Sequence, residues 1–374
     1  MQTAKAPRSP SNYFLGALAV HLVIVVVLLS ADTLITAKGS RMDMAARTLG
    51  VTGLQVTPLG LGLAALGRPG YINLGHGDDL KGEYDVQMMQ RHAHAVLDEA
   101  WRLGLRYFDA ARSYGRAEQF LGTWLKARGL SPAEVVVGSK WGYTYTAGWR
   151  VEAEAHEVKE HSLVVLEHQW GESQAHLDDY LKLYQVHSAT FDSGVLHNQL
   201  VLKKLARLKA GGAALGLTLS GANQAAVLAE ALCVQVDGVR LFDTVQATWN
   251  LLEPSAGAAL AEAHAAGMGV IVKEALANGR LTPRNDDPGF TARLALLRYQ
   301  ASRLGTSIDA LALAAVLAQP WAGVVLSGAA TAEQLNSNVG TLAVAWDEDV
   351  ASALAALAEP ADVYWQTRGA LAWN

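Results

Sequence analysis

From Arg47 onward the chain alternates between two hydrophobic patterns. Short, almost continuous apolar runs are separated by longer stretches in which apolar residues return every three or four positions. The first pattern is that of strands covered on both faces, and the second is that of amphipathic helices lying against them. Strands are expected at 56–64 (VTPLGLGLA), 106–111 (RYFDAA), 134–140 (EVVVGSK), 180–187 (YLKLYQVH), 213–220 (AALGLTLS), 244–250 (TVQATWN), 269–275 (GVIVKEA) and 323–329 (GVVLSGA). Between them lie helical stretches such as MMQRHAHAVLDEAWRLG, EQFLGTWLKARG and NQLVLKKLARLKAGG, the last two closing on glycine as helices often do. Strand and helix in alternation require a parallel sheet with crossover helices, and eight units in about 330 residues fit one α/β domain, a (β/α)8 TIM barrel. That fold places active sites at the C-terminal ends of its strands, which makes polar residues there the suspects.

Residues 1–41 break the pattern, so the barrel is expected over 42–374 behind an N-terminal apolar helical extension. The run Tyr13 to Ala31 carries no charge and approaches the roughly 20 residues that span a bilayer. It reads as a signal anchor, a signal peptide with a long apolar core, or the product of a start codon placed too early, with Met42 or Met44 the true beginning. Lys5 and Arg8 before it and Lys38 and Arg41 after it leave the orientation open. Membrane contact is expected only if this segment is real; otherwise a cytoplasmic protein is expected.

Composition narrows the partners. A formal net charge of -5, a pI near 6.1 and the lack of any Lys/Arg-rich run argue against nucleic acid. The single cysteine, Cys233, excludes an intrachain disulfide framework and a cysteine-built zinc site, and its apolar setting, AEALCVQV, predicts a buried thiol. The histidines of HAHAVLDEA and KEHSLVVLEHQW lack partners at ligand spacing, so no metal is expected. Nothing in the pattern fixes an oligomeric state.

The segment GLGLAA, Gly60 to Ala65, fits a loose dinucleotide fingerprint with Asp79 about 20 residues on. The chain continues LGRPGYINLGHGDD, however, too dense in Gly and Pro for the helix that the fingerprint needs. Those glycines read better as a strand and loop approached closely by a ligand.

Four other strand ends carry more chemistry. Asp109 follows the second strand with Tyr114 in its loop, Lys140 ends the third and His187 ends the fourth. Each alone suits a cap, an ion pair or a core hydrogen bond, but neighbouring strands would bring all four to one rim. A tyrosine with a pKa of about 10 is a poor acid at neutral pH, and an adjacent ammonium lowers that value. Lys140 is the expected ammonium, Asp109 its counter-ion, and His187 a donor to a substrate oxygen. Such a site polarises a carbonyl and protonates the alkoxide formed as hydride arrives, so a nicotinamide cofactor and a small-molecule carbonyl or alcohol substrate are expected.

The blocks RTLGVTGLQVTPLGLG, FDAARSYG, VVVGSKWG, LYQVH, QATWN and LSGAATAEQLNSN resemble, in order, those of the aldo-keto reductase superfamily. The resemblance implies a barrel that binds NADPH in extended form, with Asp109, Tyr114, Lys140 and His187 as its catalytic tetrad and Tyr114 as general acid. It also implies that Gln246 contacts the nicotinamide amide and that Asn250 belongs to the same motif, where Trp249 replaces the usual tyrosine. The fifth strand reads LTLSGANQ where Ser-Asn is usual, leaving Thr218 or Ser220 for the amide. Ser327, Gly328, Gln334 and Asn338 match positions that hold the adenine half. Thr331 and Gln334 form a capping-box pattern whose free N–H groups suit phosphate. Ala329 and Ala330 stand where relatives selective for NADPH often carry Arg or Lys, with Lys273 or Arg280 as substitutes. NADPH is therefore the expected cofactor, with NADH open. Tyr71, Ile72, Trp141, Tyr143, Tyr145 and Trp149 are expected to give the mouth flat apolar surface for a small aldehyde or ketone with an apolar or sugar-like face. The rival reading is a cofactor-sensing regulatory subunit on the same barrel with little turnover.

Overall fold

The structure, a computed structural model, describes Met1 and residues 44–374. The apolar run 13–31 lies outside the described residues, and among those described no helix is long and apolar enough to cross a membrane.

Eight strands close into a barrel: β1 (Leu59–Gly62), β2 (Tyr107–Asp109), β3 (Val136–Trp141), β4 (Leu181–Ala189), β5 (Ala214–Leu219), β6 (Thr244–Thr248), β7 (Gly269–Lys273) and β8 (Val324–Ser327). Each pairs in parallel with the next in sequence, and β8 returns to β1. The strands are near-continuous apolar runs because both their faces are covered: β3 is buried at every position. All eight lie inside the segments expected from sequence, except that β3 and β4 run one and two residues further at their C-terminal ends.

The helices of two turns or more are α1 (Val86–Arg102), α2 (Ala117–Ala127), α3 (Leu163–Leu177), α4 (Gln199–Ala210), α5 (Gln224–Leu232), α6 (Gly257–Ala265), α7 (Thr291–Arg303), α8 (Ile308–Leu317), α9 (Ala332–Val339), α10 (Glu348–Ala355) and α11 (Ala361–Gly369). In α1 the Asp85 side chain caps the N–H groups of Gln87 and Met88, and Met89, Ala93, Val96, Leu97 and Ala100 form the buried stripe. Ser162, Asn198, Ser307 and Thr331 cap α3, α4, α8 and α9 in the same way. Helices α7, α10 and α11 pack with Leu251, Leu252, Ala277 and Leu281 into a second cluster beside the barrel.

An antiparallel hairpin, Arg47–Thr48 with Gln55–Val56, closes the N-terminal end of the barrel. Its Leu49 and Val56 meet Tyr107, Val136, Leu183, Ile271 and Val324 in one buried layer. That layer is the apolar floor on which the polar groups described below rest. Cys233 departs from expectation: it follows the last turn of α5 and is exposed, because the apolar stripe of that helix is spent on Val227, Leu228 and Ala231.

Candidate active site

Side chains on a strand alternate between faces. On β2, Tyr107 and Asp109 point into the barrel while Phe108 points out, its ring 5.4 Å from that of Trp124 on α2. On β3 the inward positions include Gly138 and Lys140. A Cβ at Gly138 would lie 2.7 Å from the Tyr107 hydroxyl, so only glycine leaves room for the groups beside it. Lys140 reaches across that space: its ammonium donates to Asp109 Oδ2, to the Ala110 carbonyl at 2.9 Å and to the Tyr114 hydroxyl at 3.3 Å. The other carboxylate oxygen of Asp109 accepts from Gln246 Nε2 at 3.0 Å, Tyr107 Oη at 3.3 Å and Gln185 Nε2 at 3.4 Å. Asp109 and Lys140 are each 1% exposed, and burying either alone would cost several kcal/mol. Together, with all three ammonium protons placed and both carboxylate oxygens accepting, they form a satisfied pair.

Tyr114 hangs over this pair on a tight loop. Its N–H bonds the Ala111 carbonyl at 3.1 Å, and Gly115 follows with φ 59°. Glycine is required there for a second reason: a Cβ would come within 2.5 Å of the Gly67 carbonyl, which accepts from Arg116 N–H at 2.7 Å. The loop of β2 is thus tied to the loop of β1, and the YFDAARSYG segment returns its phenol over its own carboxylate.

His187 owes its place to an irregularity. The pairing of β4 with β5 shifts between Val186 and Ala189, where Ser188 has φ 53°. Ser188 N–H donates to Thr218 Oγ1 at 2.7 Å, and the His187 carbonyl pairs with His161 Nε2 at 2.9 Å. Bulges of this kind re-aim a side chain at a barrel rim. The imidazole meets the Tyr114 ring edge-on at 5.6 Å and the Tyr143 ring at 4.9 Å. Its Nδ1 is 3.4 Å from Ser113 Oγ, and Nε2 has no hydrogen-bond partner among the described residues.

The electrostatics correct one expectation. Burial, then the field of Asp109, pushes the Tyr114 hydroxyl well above its ordinary range, and the lowering effect of Arg68 does not offset them. The Lys140 ammonium, expected to lower it, is matched by the carboxylate it touches. Tyr114 is a phenol at neutral pH. His187 is held well below its usual value by burial, with Lys140, Lys273 and Arg68 adding to the effect, so its ring is neutral.

A cavity of about 670 Å³ opens from Tyr114 and His187 toward the N-terminus of α9. Of the residues singled out from sequence, Tyr71, Ile72, Tyr143, Ser220, Gln246, Lys273, Ser327, Gly328, Gln334 and Asn338 line it. Trp141 does not: adjacent to inward-facing Lys140 on β3, it must face outward, and its ring packs edge-on against His161 at 5.4 Å. Nor does Thr218, whose hydroxyl holds the bulge at Ser188. Trp249 packs on Trp321 at 5.6 Å, and Asn250 is spent on the Glu274 carbonyl at 2.9 Å and Tyr364 Oη at 3.0 Å. Tyr145 and Trp149 also lie off the cavity, the latter donating to the Tyr84 carbonyl at 2.6 Å. Arg280 forks onto Glu359 at 2.7 and 2.9 Å and does not reach the cavity.

Sequence reasoning missed several lining residues. Arg68 is 3% exposed, bonds the Ser113 carbonyl and Glu157 Oε2 at 3.0 Å each, and lies against the rings of Trp373, Tyr71 and Tyr114 at 4.8 to 5.3 Å. An arginine inside the Gly/Pro-rich stretch GRPGY was the available signal; for Trp373 there was none. At the end of β7, Lys273 bonds Thr248 Oγ1 at 2.9 Å, and Glu274 pairs with Arg368 of α11 at 2.7 Å. Burial lowers the Lys273 ammonium to about 8 against the opposing pull of Glu274. Burial alone would raise the Glu274 carboxyl, but Arg368 and Lys273 outweigh it and hold it at about 2. Trp373 and Asn374 lie beside the β1 loop, where Tyr71 and Asn374 exchange backbone bonds of 3.1 and 3.2 Å.

Comparison with known proteins agrees with this architecture. The chain is 38% identical over 102 residues to pyridoxal 4-dehydrogenase of Microbacterium luteolum, a match to 27% of this chain and about a quarter, 25%, of that curated relative. The holo form of aldo-keto reductase AKR11C1 from Bacillus halodurans superposes with a TM-score of 0.66 at 23% identity, covering 85% of this chain and 97% of that one. Its apo form gives 0.61 over the same shares at the same identity, and both show the fold. The family model for aldo/keto reductases matches residues 58–359, which takes in all eight barrel strands and the four side chains gathered above them. By that match this chain belongs to the aldo/keto reductase family.

Proposed function

We propose that the protein is a NAD(P)(H)-dependent oxidoreductase that interconverts a small aldehyde or ketone and its alcohol, with Tyr114 as general acid and base. The observation that carries this reading is the contact of the Tyr114 hydroxyl with the Lys140 ammonium, itself anchored on Asp109, at the inner end of the cavity. Family membership supports it, and so does a relative named as a dehydrogenase.

The carbonyl oxygen would accept hydrogen bonds from Tyr114 and from His187. If the Ser113 hydroxyl donates to Nδ1, the neutral imidazole carries its proton on Nε2, the atom without a protein partner. The nicotinamide dinucleotide supplies or takes the hydride when bound. As negative charge develops on the oxygen, Tyr114 gives it the proton, and Lys140 steadies the phenolate left behind. The residues present fit such a cofactor: Asn278 Oδ1 is buried without a partner in a residue that lines the cavity, and Lys273 and Arg368 bring positive charge to the same wall.

The test is oxidation of NADH or NADPH by the protein with a panel of aldehydes and ketones, with Tyr114→Phe alongside. The variant should lose about 10³-fold in rate while binding the dinucleotide as before. Equal rates would remove Tyr114 as the acid. Tight dinucleotide binding with no turnover of any carbonyl would favour the sensing role.

A further inference from the structure

We propose that the end of the cavity remote from Tyr114 is built for the unphosphorylated dinucleotide, NAD(H), and disfavours the 2′-phosphate of NADP(H), with Glu333 and Asp309 as the discriminating residues. The inference rests on the function proposed above, which sets the nicotinamide against Tyr114 and leaves the adenosine half to the other end.

A helix N-terminus is where a phosphate would ordinarily dock, because its first N–H groups are unpaired and the dipole favours an anion. At α9 part of this donor set is already used. Thr331 Oγ1 accepts from Gln334 N–H at 3.2 Å, and Gln334 Oε1 accepts from Ala330 N–H at 2.8 Å. Glu333, in the first turn of α9, lines the same cavity, and the N–H and hydroxyl groups of that turn hold its carboxyl below its ordinary range. A carboxylate of the protein therefore lies at the helix end where a phosphate would dock. Asp309, in the first turn of α8, adds a second negative charge to the same lining. Neither carboxylate has a salt-bridge partner among the described residues.

The cations nearby do not reverse this sign. Arg284 lines the cavity but is forked onto Asp79, whose Oδ1 also accepts from Gln334 Nε2 at 2.8 Å. Lys81 and His92 act on Glu333 from outside the lining, and His92 Nε2 is paired with the Ala330 carbonyl. Arg280, the remaining substitute expected from sequence, is bound to Glu359, and Lys273 lies at the Tyr114 end. A 2′-hydroxyl can donate to an acidic side chain, whereas a 2′-phosphate needs an arginine or lysine and meets two carboxylates.

The experiment is titration of the ligand-free protein with NADH and NADPH, read by quenching of tryptophan fluorescence, with AMP and 2′,5′-ADP as competitors. NADH should bind at least about 10-fold more tightly, AMP should compete better than 2′,5′-ADP, and Glu333→Lys should narrow the NADH/NADPH ratio by about 10-fold. Asp309→Asn should narrow it less. Tighter binding of NADPH overturns the inference and leaves the oxidoreductase reading standing, as does an NADH preference unmoved by both substitutions. Binding of neither dinucleotide overturns both.

Discussion

Tyr114 touches an ammonium whose charge is already matched by Asp109, so its phenol gains little field until charge develops on a substrate. That arrangement makes a specific demand on the pair. Lys140→Met would leave Asp109 buried without a counter-ion, at a cost of about 3–5 kcal/mol. Adding Asp109→Asn should recover much of that stability in urea unfolding, yet neither the single nor the double variant should turn over carbonyls above about a thousandth of the parent rate. Recovery of activity with stability would mean that the lysine is structural. The four residue types were legible because a buried Asp or Lys at a strand end is costly without a partner. What the chain did not disclose was the direction in which Tyr114 shifts, since that is set first by burial and then by the field of Asp109. Trp141 was legible in principle: a neighbour of Lys140 on one strand must face the other way.

The strands were readable as elements because runs such as VVVGSK are covered on both sides. The bulge at Ser188 was not, because its left-handed backbone is imposed by Thr218 on the next strand. Helix α11 was equally hidden, and it is tied to the site by Arg368 on Glu274 and Tyr364 on Asn250. The Glu274 carboxyl sits at about 2 in place of its ordinary 4.5. Its folded value is the lower one, so its contribution, about 3 kcal/mol, is present above pH 4.5 and is lost as pH falls toward 2. Arg368→Met should therefore cost about 2–3 kcal/mol at neutral pH. The gap between variant and parent in urea midpoints should close as pH falls from about 5 toward 2. A gap that holds constant would show that the arginine acts through packing alone.

At the scale of the molecule the barrel has an apolar end and a reactive end. Leu49 of the terminal hairpin is fully buried against Tyr107 and Ile271 in the floor. Leu49→Ala should lower unfolding free energy by about 2–4 kcal/mol while leaving KM for the carbonyl within about twofold, since it lies a full layer below the tetrad. A large change in KM would mean that floor and site are mechanically coupled. The reactive end is different in kind, because its roof is made of loops. The last residues meet the β1 loop through two backbone bonds between Tyr71 and Asn374 and through the Asn374 side chain, which accepts from Gly77 N–H at 3.2 Å and donates to the Asn73 carbonyl at 3.1 Å, each bond worth about 1 kcal/mol net. Opening that edge to a guest therefore costs a few kcal/mol of hydrogen bonding, while Asp109 and Lys140 stay fixed on the barrel strands beneath it.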